Sequence, residues 1–124
     1  MKINSAKDLI VYQKAYKLAM DIFEKTKKFP TEEKYALTGQ IRRSSRSVCG
    51  NIQEAWAKRR YEAHFISKLT DSDGECNETD TSLDFAKDCK YINVEEHTDL
   101  STRCKEVGKM LGSMILEPSK FLIR

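Results

Sequence analysis

Helix breakers are scarce in this sequence. Its 124 residues hold two prolines, Pro30 and Pro118, and five glycines, so long stretches run without interruption. Long apolar runs are missing too. None approaches the roughly 20 residues of a membrane span, and the opening Met-Lys-Ile-Asn-Ser-Ala-Lys-Asp has no apolar core of a signal peptide. The expectation is a cytoplasmic protein with no membrane partner. Four cysteines occur, Cys49, Cys76, Cys89 and Cys104, but no two stand as Cys-x-x-Cys, which leaves a zinc knuckle or a dithiol redox motif unsupported. The thiols are expected to be reduced and buried, with Cys76 and Cys104 packing as small hydrophobes.

Sites for chemistry are equally sparse. A di-iron bundle needs Glu three residues before His on its helices. His64 follows Glu62 by two and His97 directly follows Glu96, so the spacing fails. Asp71-Ser-Asp73-Gly74-Glu75 has the flavour of a calcium loop, but with Gly74 at the sixth position Leu69 would be the first ligand and Asp80 the twelfth. An EF-hand needs an oxygen ligand at the first and usually Glu at the twelfth. No base is paired with a nucleophile in a recognisable turn, and no glycine loop cradles phosphate. The sequence therefore predicts no catalytic residues, no metal, no cofactor and no enzyme.

What is present is helical periodicity. Residues 6–28 place Leu9, Val11, Tyr12, Ala15, Tyr16, Leu18, Ala19, Ile22 and Phe23 around more than half of a helix, wider than packing on one side requires. Ser5 and Asp8 can cap its start. Residues 32–58 read as a second helix with the core line Thr38, Ile41, Ser45, Val48, Ile52 and Ala55. Lys58-Arg59-Arg60 falls near its end, where cations suit the helix dipole. Residues 62–91 read as a third. The stretch 70–82 is poor in helix formers, but Phe65, Leu69, Ser72, Cys76, Thr79, Leu83 and Ala86 keep an unbroken spacing. Asn93 and Glu96 open a fourth helix lined by Leu100, Cys104, Val107, Leu111 and Met114, and Pro118 ends it. The fold expected is an all-α, antiparallel up-and-down four-helix bundle. One domain spans 1–117, and 118–124 form a loose tail.

Charge is unevenly distributed. Residues 34–60 hold Lys34, Arg42, Arg43, Arg46, Lys58, Arg59 and Arg60 against Glu54 alone, whereas 61–101 hold eleven acids against Lys68, Lys87 and Lys90. The second helix also mixes arginines with small residues. Arg42, Arg46 and Gln53 share one stripe, and Gln40, Ser47, Asn51 and Glu54 another. Small residues admit a close neighbour, and arginine forks bind carboxylates or phosphates. Arg42, Arg43, Arg46, Lys58, Arg59 and Arg60 are thus candidates for nucleic-acid contact. Pairing with the acidic third helix or a neighbouring subunit is the competing explanation. Tyr12 and Tyr16 on the wide first stripe, with Gln40, Ser47 and Asn51, are candidates for a subunit interface.

Several segments also resemble a known family. Asp8-Leu9-x-Val11-Tyr12-Gln13-Lys14-Ala15-x-x-Leu18 begins the likeness. Phe29-Pro30-x-Glu32, Leu37-x-x-Gln40-Ile41-Arg42-Arg43-Ser44 and Ser47-Val48-x-x-Asn51-Ile52-x-Glu54 continue it, followed by Glu78-Thr79-x-x-x-Leu83-x-x-Ala86 and Tyr91-Ile92. The pattern is similar to bacterial 23S rRNA intervening-sequence proteins and, more distantly, to the accessory variability determinant of diversity-generating retroelements. The resemblance implies a four-helix bundle, often assembled as a ring-shaped homopentamer, whose molecular role is largely unassigned. The retroelement relatives use a basic ring to bind nucleic acid and a reverse transcriptase. Cys49-Gly50, Gln53, Ala55 and Ser82 depart from the family pattern. The function expected is a non-enzymatic oligomeric module with a basic surface for RNA, another nucleic acid or a nucleic-acid-bound protein. The alternative is a protein-binding scaffold with no nucleic-acid role.

Overall fold

In the computed structural model, which describes residues 2–123, four helices follow one another: α1 Ile10–Thr26, α2 Leu37–Ala57, α3 Glu62–Asp88 and α4 Val94–Leu116. Among the described residues there is no strand, and no helix is long and apolar enough to cross a membrane. Side-chain links give the helix directions. Ascending α2, Arg43, Ser44 and Glu54 meet Glu78, Thr79 and Lys68, which descend α3. Asp80 and Asp84 of α3 meet Ser101 and His97 of α4. Lys14, Asp21 and Lys25 of α1 meet Glu106, Arg103 and Glu96. Arg42 and Arg46 of α2 meet Thr26 and Phe23 of α1. Every neighbouring pair is antiparallel, as expected of an up-and-down four-helix bundle.

The core follows the sequence spacing. All the expected core residues of α2, α3 and α4 are buried. One apolar cluster gathers Val11, Ile52, Phe65, Leu69 and Leu111, and a second gathers Ile22, Ile41, Leu83, Leu100 and Cys104. Hydroxyls share this interior. Ser44 Oγ lies 2.8 Å from Thr79 Oγ1, and Ser72 Oγ donates to the Val48 carbonyl at 2.8 Å. These hydroxyls thereby find partners, which removes most of the desolvation cost of placing them there. Thr38 Oγ1 is the exception among the described residues, buried with no hydrogen-bond partner.

Three expected helix boundaries change. The helix expected at 6–28 is split: Ala6–Asp8 is a 3-10 turn, and Leu9 is extended before α1 begins. The Asp8 carboxylate accepts the N–H groups of Asn4 and Ser5 at 2.8 and 3.1 Å and closes that turn. The helix expected from 32 starts at Leu37. Glu33 stands outside it as a cap, accepting the Leu37 N–H at 3.3 Å and the Tyr91 hydroxyl at 2.8 Å. The third helix stops at Asp88, not 91, because Lys90 turns left-handed at φ 66°. The Lys90 and Tyr91 N–H groups then reach back to the carbonyls of Lys87 and Ala86, each at 2.9 Å, which is a Schellman closure. Across 70–82, Gly74 included, α3 is unbroken.

The segment expected to be a loose tail is docked. Pro118–Lys120 form a 3-10 turn, and Phe121 and Leu122 pack on the first cluster, with the Phe121 ring 6.2 Å from that of Phe65. The Ile123 N–H donates to the Arg59 carbonyl at 3.2 Å. Phe121 and Leu122 supply the apolar surface that docks the segment. Met1 and Arg124, the outer limits of the expected domain and tail, lie outside the described residues. The thiols divide as well. Cys49, Cys76 and Cys104 are buried, and burial pushes the first two up to about 11 and about 12 and raises the third. Cys89, expected to be buried, is exposed at the end of α3.

Candidate nucleic-acid interface

The six basic candidates do not form one patch. Arg42 leaves α2 toward the end of α1. Its Nε donates to Thr26 Oγ1 at 2.8 Å, its Nη2 to the Phe23 carbonyl at 3.5 Å, and its guanidinium lies 4.6 Å above the Phe23 ring. A cation at the exposed carbonyl end of a helix complements the dipole. Arg42 is therefore a clamp between two helices, and its guanidinium does not reach outward. Arg46, one turn on, is exposed, with its guanidinium 5.7 Å from the same ring. Arg43 turns the other way. It forks between Glu75 and Glu78 of α3, at 2.9 and 3.0 Å. At Arg43 the pairing with the acidic third helix is realised. Burial raises the Glu75 carboxyl above the usual range, while hydrogen bonds from Glu75 and Arg43 hold that of Glu78 below it.

At the other end of α2 the chain turns through Lys58-Arg59-Arg60 into α3. Lys58 is the residue that closes α2. Arg59 lies flat on Trp56, 3.6 Å from the ring centroid, and its Nε donates to the Trp56 carbonyl at 2.8 Å. Burial lowers its pKa. Arg60 is exposed. Among the described residues neither Lys58 nor Arg60 forms an ion pair, although the Lys58 charge helps lower the Glu54 carboxyl. Glu54 and Asp71 pair with Lys68 at 2.9 and 3.7 Å, Glu75 and Glu78 with Arg43, and Asp84 with His97 at 2.7 Å. Arg46 and Lys58 are twelve residues apart on one helix, or about 18 Å.

The sequence reading missed the aromatics of this corner. Tyr61 is 61% exposed, and its ring lies 5.7 Å from that of His64, tilted by 55°. The signal was there, since Trp56, Tyr61 and His64 flank the basic run. The charges of that run point to the helix dipole and to phosphate, and neither reading takes in the rings beside them.

The subunit-contact candidates fall on two faces. Tyr12 is half-buried and stacks at 6.2 Å on Tyr16, which is 55% exposed. Met20, one turn further, is 45% exposed. Ser47 and Asn51 belong to the opposite edge of α2. The Asn51 Nδ2 donates to the Ser47 carbonyl at 3.0 Å. Both line a groove of about 470 Å³ with Thr70, Gly74 and the Arg43 ion pairs. Gln40, on the same stripe, is exposed.

A comparison with curated protein sequences finds no match. The fold is similar to the crystal structure of a protein of unknown function from the S23 ribosomal protein family of Bacteroides thetaiotaomicron. The TM-score is 0.78 and the identity 33%, over 88% of this chain and 97% of that one. The family model described as 23S rRNA-intervening sequence protein matches residues 7–113. With a match over that span and a bundle of the same fold, the chain belongs to the 23S rRNA-intervening sequence protein family.

Proposed function

We propose that this protein is a non-enzymatic, cytoplasmic assembly module that forms a homo-oligomer, a ring of five on the family resemblance, and offers a basic surface to RNA or another nucleic acid. The observation that carries the RNA half is the lack of an ion pair at Arg46, Lys58 and Arg60 among the described residues, while Asp71, Glu75, Glu78 and Asp84 of α3 pair with other cations. Cations without a paired carboxylate keep their charge for a polyanion. The assembly half is supported by the two separate faces of the contact candidates, Tyr12 and Tyr16 on one and Gln40, Ser47 and Asn51 on the other. A ring needs a different surface on each side of the subunit.

Fluorescence anisotropy with structured RNA across a salt series tests the first half. Binding that weakens steeply as salt rises is expected, and no binding at low salt overturns it. Light scattering tests the second: a mass near 14.3 kDa at micromolar concentration overturns it. Exposed Tyr16 and Met20 favour one rival, a protein-binding scaffold without nucleic acid. That rival gains if the oligomer forms and RNA does not bind.

A further inference from the structure

We propose that the corner between α2 and α3 is a site for single-stranded nucleic acid, with Tyr61 and His64 stacking on an unpaired base and Lys58 and Arg60 holding the flanking phosphates. This rests on the RNA reading above and narrows it to one place and one class of substrate.

Two features of the corner favour a single strand over a duplex. The first is the aromatic pair beside the unpaired cations. A duplex offers phosphates and groove edges, and its bases are stacked away, whereas splayed-out bases stack on Tyr and His rings. Tyr61 presents its ring to solvent from the position just before α3, where Ser, Thr, Asp or Asn is preferred as a cap. No side chain caps α3 there. The start of a 27-residue helix thus carries an exposed aromatic in place of a stabilising cap.

The second feature is rigidity. The Tyr61 N–H donates to the Lys58 carbonyl at 3.0 Å and closes the turn. Arg59 is locked on Trp56 by its stack and its hydrogen bond, and its carbonyl is held by the Ile123 N–H. Lys58, Arg60 and Tyr61 therefore sit within about 10 Å of chain on a fixed turn. A preorganised site loses less freedom when it binds. Glu62 is the one acid in the corner run 58–64.

Anisotropy with two labelled RNAs of equal length, an unstructured adenine oligomer and a blunt duplex, tests this on the full chain. The single strand should bind more tightly. Tyr61→Ala should weaken it by about 5-fold or more, with the salt slope unchanged, because stacking is lost without a phosphate contact. Tyr61→Phe should keep wild-type affinity. Lys58→Ala with Arg60→Ala should instead flatten the salt slope by about 0.7 per contact. All four side chains lie outside the core clusters, so circular dichroism and mass should not change. Equal affinity for Tyr61→Ala, or a preference for the duplex, overturns the corner site and leaves the RNA reading standing. Absence of binding to either RNA overturns both. A polyglutamate peptide competing as well as the single strand would overturn the site as well, by showing attraction to any polyanion.

Discussion

The first half of α2 and the corner beyond its end carry the same residue types toward opposite outcomes. Arg42 and Arg43 fold back onto the molecule, one onto the carbonyl end of α1 and the other between two carboxylates of α3. Among the described residues Lys58 and Arg60 form no ion pair, and Lys58 acts on Glu54 only as a secondary charge behind Lys68. The number of arginines in a segment is therefore a poor guide to the charge its surface shows. The side-chain partners on neighbouring helices decide, and those are set by the antiparallel register.

The largest effect that tests this contrast comes from Arg42. Arg42→Ala removes two hydrogen bonds from a charged donor and a cation over a ring, and should cost about 2 kcal/mol. Arg60→Ala should stay within about 0.5 kcal/mol. Urea denaturation of both variants is the check, and equal losses would erase the difference between the two regions.

A smaller contrast sits in the backbone of α2. A methyl group on Gly39 would meet the Lys34 carbonyl oxygen at 3.0 Å, whereas one on Gly50 would meet open space. Gly50→Ala should therefore stabilise by about 1 kcal/mol, the usual helix gain, and Gly39→Ala should give no gain. The sign of the difference in denaturation midpoints is the readout. If both stabilise alike, the first half of α2 is less tightly held against its preceding turn than its contacts indicate.

The smallest effect is acid sensitivity near the corner. The hydrogen bond from Lys68 holds the Glu54 carboxyl below its ordinary 4.5. A carboxyl lowered by folding stabilises the protein fully above the unfolded value, and that part is lost as pH falls through the folded value. Lys68→Ala should slightly flatten the fall in urea midpoint below about pH 4.5. The pair is exposed, so an unchanged acid slope at high salt is expected too.

Periodicity made most of the fold legible. Ser72, Cys76 and Thr79 are weak helix formers around Gly74, yet their three-four spacing placed them inside, and they are buried there. Packing of one face overrode local propensity. Helix starts were less legible, since Asp8 and Glu33 cap by reaching across turns, and capping residues resemble first-turn residues in a sequence. The site was the least legible. Arg42 and Arg46 share a stripe, but their fates depend on Phe23 and Thr26, sixteen or more positions away. Nothing in the spacing announced the docking of Phe121 on Phe65.

The hydroxyls inside the bundle carry a calorimetric consequence. Ser44, Ser45, Ser72, Thr79, Ser82 and Ser101 occupy interior positions where many bundles hold leucine or valine. Apolar surface exposed on unfolding raises the heat capacity and polar surface lowers it. Unfolding here should therefore carry a heat-capacity increment below the usual ~12–15 cal/mol/K per residue. A smaller increment flattens the dependence of stability on temperature, so this bundle should lose little of its stability on cooling and resist cold denaturation.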